Sequence, residues 1–393
     1  MSRLFGTDGV RGVAGVDLTA DLARDLVAAA VAELADPTDR PLVVVGRDTR
    51  PSGSWLTEAV VDGLTGAGAD VALLGVIPTP AVARAVADGV PAISRTPAFG
   101  VVISASHNPP ADNGVKFFGA GGRKLTDDAE RRIEQRLGQA DTPGGGGLVA
   151  DLSDDPQWYV DAVLATVPNR LDGLRVVVDC ANGAAATVAA AAYGGAGADV
   201  TVINDDLDGE RINDGCGATH LDAVAAAVRS AGADVGVAHD GDADRCLAVT
   251  AAGEPVDGDA LLAILALDLQ RRGQLRNAAI AATVMSNLGL TKALEAHGVT
   301  LHTTPVGDRH VIERMQADDL ALGGEQSGHI VLADHATTGD GILTGLHLLS
   351  CIVAAAQPLQ ALASLVSRYP QVLVNVRVDD RDAALAAVAP AAG

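Results

Sequence analysis

The chain has 393 residues, two to four times an ordinary domain length, so several domains are expected. Its 28 Lys and Arg against 50 Asp and Glu leave a formal charge of −22, which repels nucleic acid and anionic membranes, and 2% aromatics exclude an extended stacking floor for bases or sugars. No apolar run reaches the roughly 18–20 residues needed to span a bilayer, no signal core opens the chain, and Cys180, Cys216, Cys246 and Cys351 form no CxxC pair, so a cytoplasmic protein with packed thiols is expected.

In chain order, residues 5–12 (FGTDGVRG) form a glycine-rich segment, and GRDTR follows at 46–50. Glycine beside arginine lets backbone amides and a guanidinium approach an anion closely, a local need in an acidic protein that handles phosphate. Three segments then repeat one plan: strand, loop, helix, glycine, second strand. They are 41–46 (PLVVVG), 54–64 and 68–74; 174–179 (LRVVVD), 185–192 and 197–203; and 279–284 (AIAATV), 288–295 and 298–302. Val/Ile runs without polar alternation fit strands covered on both faces, and each glycine suits a helix C-cap. The expected class is α/β: three tandem α/β domains with mixed sheets sandwiched by helices, plus the start of a smaller fourth α+β domain. Breaks at 144–147 (GGGG), near 252–256 and near 367–370 divide the chain into 1–150, 151–254, 255–368 and an incomplete 369–393. Within the last piece, 371–378 alternates like a half-buried strand and 381–388 has a helical pattern.

Three loops could carry chemistry. At 101–110 (VVISASHNPP) a strand runs into a turn bearing Ser104, Ser106, His107 and Asn108, either an ordinary Ser/Asx turn or a mount for Ser106 as nucleophile or phosphoryl carrier. At 239–245 (HDGDADR) three carboxylates alternate after an apolar strand, and a hard divalent cation relieves their repulsion. Counted as an EF-hand from Asp240, the loop puts Arg245 where Gly is required and Ala251 where the bidentate Glu belongs, which leaves a solvated acidic turn as the alternative. Three Asp oxygens with a phosphoryl oxygen and water would suit Mg²⁺. At 323–329 (GGEQSGH) a carboxylate, an amide, a hydroxyl and an imidazole could read sugar hydroxyls or an amine, or simply form a polar hairpin loop. The Walker-type nucleotide loop and the dinucleotide fingerprint are both absent from the sequence. Only three lysines occur, Lys116, Lys124 and Lys292, which singles each one out.

Taken together and in this order, FGTDGVRG, ISASHNP, NGVKFF, DGDADR and GEQSGH resemble the α-D-phosphohexomutase superfamily across essentially the whole chain. The resemblance implies three α/β domains and a smaller fourth lining one cleft, and a phosphoryl group shuttled through a phosphoserine and a bisphosphorylated sugar. By position Ser106 matches the phosphoserine and Asp240, Asp242 and Asp244 the Mg²⁺ ligands, with the seryl phosphate completing the site. Lys116, Arg11, Arg245 and His329 match residues that assist proton transfer or phosphate charge, and Glu325 and Ser327 match sugar-hydroxyl contacts; His107, Asp308 and Arg309 are expected at the substrate. Gln326, residues 211–220 (RINDGCGATH) and 305–309 (PVGDR) resemble members acting on glucosamine phosphates. The expected reaction thus interconverts glucosamine 6-phosphate and glucosamine 1-phosphate, with glucosamine 1,6-bisphosphate or glucose 1,6-bisphosphate as intermediate or activator, toward UDP-N-acetylglucosamine. Members acting on unaminated hexose phosphates share this chemistry; a metal-dependent sugar phosphatase and a non-catalytic sugar-phosphate sensor are the rivals from other classes. A small-molecule sugar phosphate is the expected partner, and a homodimer is a family expectation. As general base near neutral pH, Lys116 requires a pKa depressed by neighbouring Arg residues and Mg²⁺. The Arg-Ser-Gly-Thr-Glu-Pro-type loop of the family's fourth domain does not occur in these 393 residues, so a C-terminally truncated chain is expected, and a protein that really ends at Gly393 is expected to bind metal but turn over poorly.

Overall fold

The computed structural model describes residues 4–6, 8–36, 40–139, 146–372 and 378. Three separate sheets organise these residues, and each is built around one of the repeated strand–helix–strand segments. In the first, Leu42–Arg47 and Asp70–Val76 pair in parallel through the helix Gly53–Gly66. The sheet extends through Phe99–Ile103, parallel to Leu42–Arg47, then antiparallel through Asp112–Gly119 and Val10–Val13. The short strand Val149–Asp151 closes the opposite edge.

The second sheet runs in the order Pro255–Val256, Cys246–Thr250, Val235–His239, Arg175–Asp179, Asp199–Ile203, with the last three strands parallel. The third places Ala279–Thr283 between Thr300–Thr304 and Leu322–Gly324, both parallel to it, with Ile330–Leu332 antiparallel at the edge. Central strands such as Val235–His239 and Ala279–Thr283 are buried along their whole length, as their unbroken apolar runs require. One expected helix differs: 185–192 divides into a 3₁₀ turn Ala184–Thr187 and a helix Ala189–Gly195, because Val188 at φ −130° interrupts the helical path. The expected elements at 371–378 and 381–388 lie almost wholly outside the described residues.

The helix Gly341–Ala355 is apolar nearly all round, and it packs on the helix Gly258–Arg271 of the third unit while also touching the strand Cys246–Thr250 of the second. It joins the two units in one core, with Leu346, Leu348 and Leu349 fully buried. No helix among the described residues is long and apolar enough to cross a membrane. Cys180, Cys216, Cys246 and Cys351 are all buried free thiols.

His347 on this helix is buried, with Nε2 3.0 Å from Thr166 Oγ1, and burial together with neighbouring His335 and Arg272 pushes its pKa down to about 3. The unfolded chain therefore takes up a proton below about pH 6.5 that the folded chain refuses, so this contribution to stability is complete above pH 6.5 and falls as the pH drops. Between pH 7.5 and pH 5 the loss is about 2 kcal/mol. Urea unfolding at the two pH values is expected to show it, with His347→Gln flattening the difference by that amount.

Candidate active site

The catalytic candidates meet where loops of the three units converge. Ser106 follows the strand Phe99–Ile103 and is buried, with its backbone at φ +51°, a left-handed conformation that a non-glycine residue holds only when its surroundings impose it. Those surroundings are explicit. Ser104 Oγ accepts from the Ser106 amide at 2.8 Å and donates to Asp48 Oδ2 at 2.6 Å. Asp48 Oδ2 pairs with Arg50 Nε at 2.9 Å, and the Arg50 guanidinium donates to the carbonyls of Ser106, Asn108, Pro109 and Asp112. From the second unit Asn213 Nδ2 adds bonds to the Ser106 carbonyl at 2.9 Å and the Asn108 carbonyl at 3.2 Å. GRDTR is thus no anion loop at Arg50: that side chain is fully buried and wholly engaged by the serine turn.

The metal-type loop sits against this turn. Ser106 Oγ donates to Asp240 Oδ2 at 2.6 Å, and ligand atoms of Asp240, Asp242 and Asp244 lie within 4.8 Å of one another, all three residues buried. Gly241 permits the approach, since a Cβ there would stand 2.7 Å from the Ser106 carbonyl oxygen. Asp242 Oδ2 accepts from Thr79 Oγ1 at 2.6 Å and Lys116 Nζ at 2.7 Å, whereas Asp242 Oδ1 and Asp244 Oδ1 are buried with no hydrogen-bond partner. Orphaned buried carboxylate oxygens in an all-oxygen set are what a divalent cation satisfies, so the residues fit one. Burial and the charges of Asp242 and Asp240 push Asp244 up to about 7. For Asp242 burial acts upward, but the Lys116 ammonium outweighs it and holds the carboxyl near 2.

Lys116 departs from expectation. Its ammonium lies 2.7 Å from Asp8 and Asp242 and 3.8 Å from Asp244; burial favours the neutral amine, yet the carboxylates win and raise its pKa rather than depress it. Asp8, whose carboxylate also takes Arg11 at 2.6 Å and Lys124 at 2.6 Å, is the partner that sequence reasoning missed. Lys124, singled out only by the scarcity of lysine, sits beside Lys116 on the same carboxylate.

Arg245 lies with Nε 3.9 Å from both Asp240 and Asp244 and makes no hydrogen bond through that atom. The sugar-type loop is strung directly onto it: Cys246 N donates to the Gly328 carbonyl at 3.0 Å, and Arg245 and His329 form an isolated antiparallel bridge. Glu325 Oε2 accepts from Ser327 Oγ at 3.3 Å, and His329 is buried with Nε2 free of hydrogen bonds, 3.5 Å from Asp308 Oδ2. His107 Nδ1 lies 3.3 Å from Ser106 Oγ, and burial with Arg245 and Arg11 lowers its pKa to about 4. Three residues are turned to other uses. Gln326 Nε2 bonds Asp259 at 3.0 Å and Asp257 at 3.5 Å, anchoring its own loop rather than presenting its amide to a sugar. Asp308 pairs with Lys124, and Arg309 with Asp127 and Glu130, all across to the first unit.

Residues 2–143, 157–253 and 257–369 match family models described as phosphoglucomutase/phosphomannomutase α/β/α domains I, II and III respectively. A phosphoglucosamine mutase of Frankia alni is 56% identical over 97% of this chain and 85% of its own length, and one of Thermobifida fusca is 54% identical over the same shares. Among solved structures, a phosphoglucomutase/phosphomannomutase family protein of Burkholderia thailandensis superposes with a TM-score of 0.83 at 29% identity, covering 95% of this chain and 81% of that one. An Aspergillus fumigatus N-acetylphosphoglucosamine mutase in complex with glucose 1,6-bisphosphate shares the fold at 17% identity and a TM-score of 0.61, over 97% of this chain and 83% of its own.

Proposed function

Because the chain belongs to the phosphoglucomutase/phosphomannomutase family, we propose that it is a phosphoglucosamine mutase, interconverting glucosamine 6-phosphate and glucosamine 1-phosphate through phosphorylated Ser106. The observation that carries this is the contact of Ser106 Oγ with Asp240 inside a buried carboxylate triad, in a chain 54–56% identical to phosphoglucosamine mutases. Asp240, Asp242 and Asp244 would hold a divalent cation, Mg²⁺ by the hardness of the donors, completed by an oxygen of the seryl phosphate. Bound there, it would neutralise charge on the phosphoryl oxygens.

Phosphoryl transfer then chiefly requires alignment and charge balance. Ser106, fixed by the Arg50 turn, carries the phosphoryl group at a set point. A sugar hydroxyl oxygen forms the new P–O bond as the Ser106 Oγ–P bond breaks with its electron pair staying on Oγ, and the hydroxyl proton passes to His329 Nε2, a buried atom with no hydrogen-bond partner, 3.5 Å from Asp308 Oδ2. The bisphosphorylated sugar turns within the cleft, its other phosphate returns to Ser106 Oγ, and His329 gives the proton back to the freed oxygen. Lys116, kept protonated by Asp8 and Asp242, supplies positive charge beside the transferring group, as do Arg11 and Arg245. Glu325 and Ser327 would bind sugar hydroxyls, and His107 stands beside the serine, with Nδ1 3.3 Å from Ser106 Oγ. Cytoplasmic location and a homodimer are part of the same proposal.

Incubation with glucosamine 1-phosphate, Mg²⁺ and catalytic glucose 1,6-bisphosphate tests the assignment. Isomerisation without release of inorganic phosphate, faster than with glucose 1-phosphate, is expected. Stoichiometric phosphate release would instead identify a sugar phosphatase, and a preference for glucose 1-phosphate would assign the chain to the unaminated hexose branch.

A further inference from the structure

The side chains expected at the substrate from the 305–309 loop instead bind the first unit, and they do so through a run of charges that alternates in sign. From the carboxylate triad outward, Lys116 pairs with Asp8 at 2.7 Å, Asp8 with Lys124 at 2.6 Å, Lys124 with Asp308, and Asp308 lies 3.5 Å from His329. Arg309, the next residue, reaches Asp127 and Glu130 at the start of the helix Asp127–Arg136. The Lys124, Asp308, Arg309 and Glu130 side chains are each 14% exposed or less, so these pairs are shielded from solvent screening. The same loop donates from Gly307 N to Glu325 Oε1 at 3.3 Å, which ties it to the sugar-type loop.

We infer that Asp308 and Arg309, with Lys124 and Glu130, form an interdomain latch that holds the Glu325–His329 loop closed over Ser106 and retains the bisphosphorylated intermediate while it turns. The inference rests on the proposed mutase activity. These four are positioning residues: they act by fixing Glu325 and His329 relative to Lys116 and Ser106. Retention matters because an intermediate that leaves before returning its second phosphate strands the serine unphosphorylated, and the enzyme then depends on added bisphosphate. A loosened latch therefore raises the requirement for activator more than it slows turnover at saturating activator.

The test uses the whole chain with glucosamine 1-phosphate and Mg²⁺, titrating glucose 1,6-bisphosphate as activator and measuring bisphosphate released per turnover. For Arg309→Met and Lys124→Met the half-saturating activator concentration is expected to rise roughly tenfold or more, with bisphosphate release rising in parallel. Arg309→Lys, which keeps the charge, is expected to restore most of the difference. Glu130→Gln is nearly isosteric and reads the same pair from the other side, should a methionine variant fail to fold. An unchanged activator requirement with a raised KM for glucosamine 1-phosphate would overturn the latch and return Arg309 to a substrate contact. An equal fall in kcat at every activator concentration, with no bisphosphate released, would also overturn it. Wild-type protein without isomerase activity would instead remove the proposed function, an outcome distinct from either.

Discussion

Asp242→Asn is expected to lower mutase turnover by roughly a thousandfold, because the lost cation site supplies several kcal/mol of transition-state charge stabilisation. Thr79 and Lys116 both bind Oδ2 of this carboxylate, while Oδ1 is buried without a hydrogen-bond partner. The amide retains an oxygen for Thr79 but removes one of the negative charges that recruit a divalent cation and keep Lys116 protonated. Stability is expected to fall, since the Lys116 ammonium 2.7 Å away favours the Asp242 charge in the folded protein and the amide gives that up. Calorimetric titration with Mg²⁺ and urea unfolding without it separate the two effects: weakened binding in the first and a lowered midpoint in the second are expected. Wild-type affinity for Mg²⁺ in the variant would contradict the assignment of Asp242 as a ligand.

Arg50→Met is expected to have the largest effect on stability, about 3–5 kcal/mol, the range for removing one partner of a buried ion pair. Arg50 and Asp48 are fully buried; burial raises the Asp48 pKa and the Arg50 charge opposes that rise. Without the guanidinium, Asp48 is left as an uncompensated buried acid and four carbonyls of the serine turn lose the Arg50 donor, those of Ser106 and Asn108 keeping only Asn213 Nδ2. The left-handed backbone of Ser106 then loses much of what imposes it. Trp55 lies on the helix Gly53–Gly66 of the first unit, and Trp158, in the second, is the chain's other tryptophan, so Trp55 fluorescence in a Trp158→Phe background follows the affected region. A urea midpoint matching the parent would show that the turn holds itself without Arg50.

What could be foreseen from the chain follows from how local each signal is. HDGDADR announces its cluster because the three carboxylates are neighbours in sequence and an apolar strand delivers them. Strands such as 41–46 and 279–284 are legible for the same reason, their burial being written in consecutive residues. The charge state of Lys116 was not, because it depends on Asp8 from the start of the chain and Asp242 from the second unit, which only the assembled cleft brings within 2.7 Å. GRDTR carries the composition of an anion loop, and nothing local distinguishes an arginine aimed at solvent from one enclosed by the 106–112 turn. Gln326 likewise reads as a sugar contact until Asp259, on the helix Gly258–Arg271, takes its amide. Scarcity was the one signal that could have found Lys124: two of only three lysines in the chain meet at Asp8.

The most direct measurement follows the phosphoryl group itself. The protein is loaded with label from radiolabelled glucose 1,6-bisphosphate, separated from free ligand, and mixed for a single turnover with unlabelled glucosamine 6-phosphate. Label lost from a peptide containing Ser106 and recovered in a glucosamine bisphosphate and the monophosphates is the predicted result, with Ser106→Ala taking up none. Label that appears as inorganic phosphate, or that loads equally onto Ser106→Ala, would contradict phosphoryl transfer through Ser106.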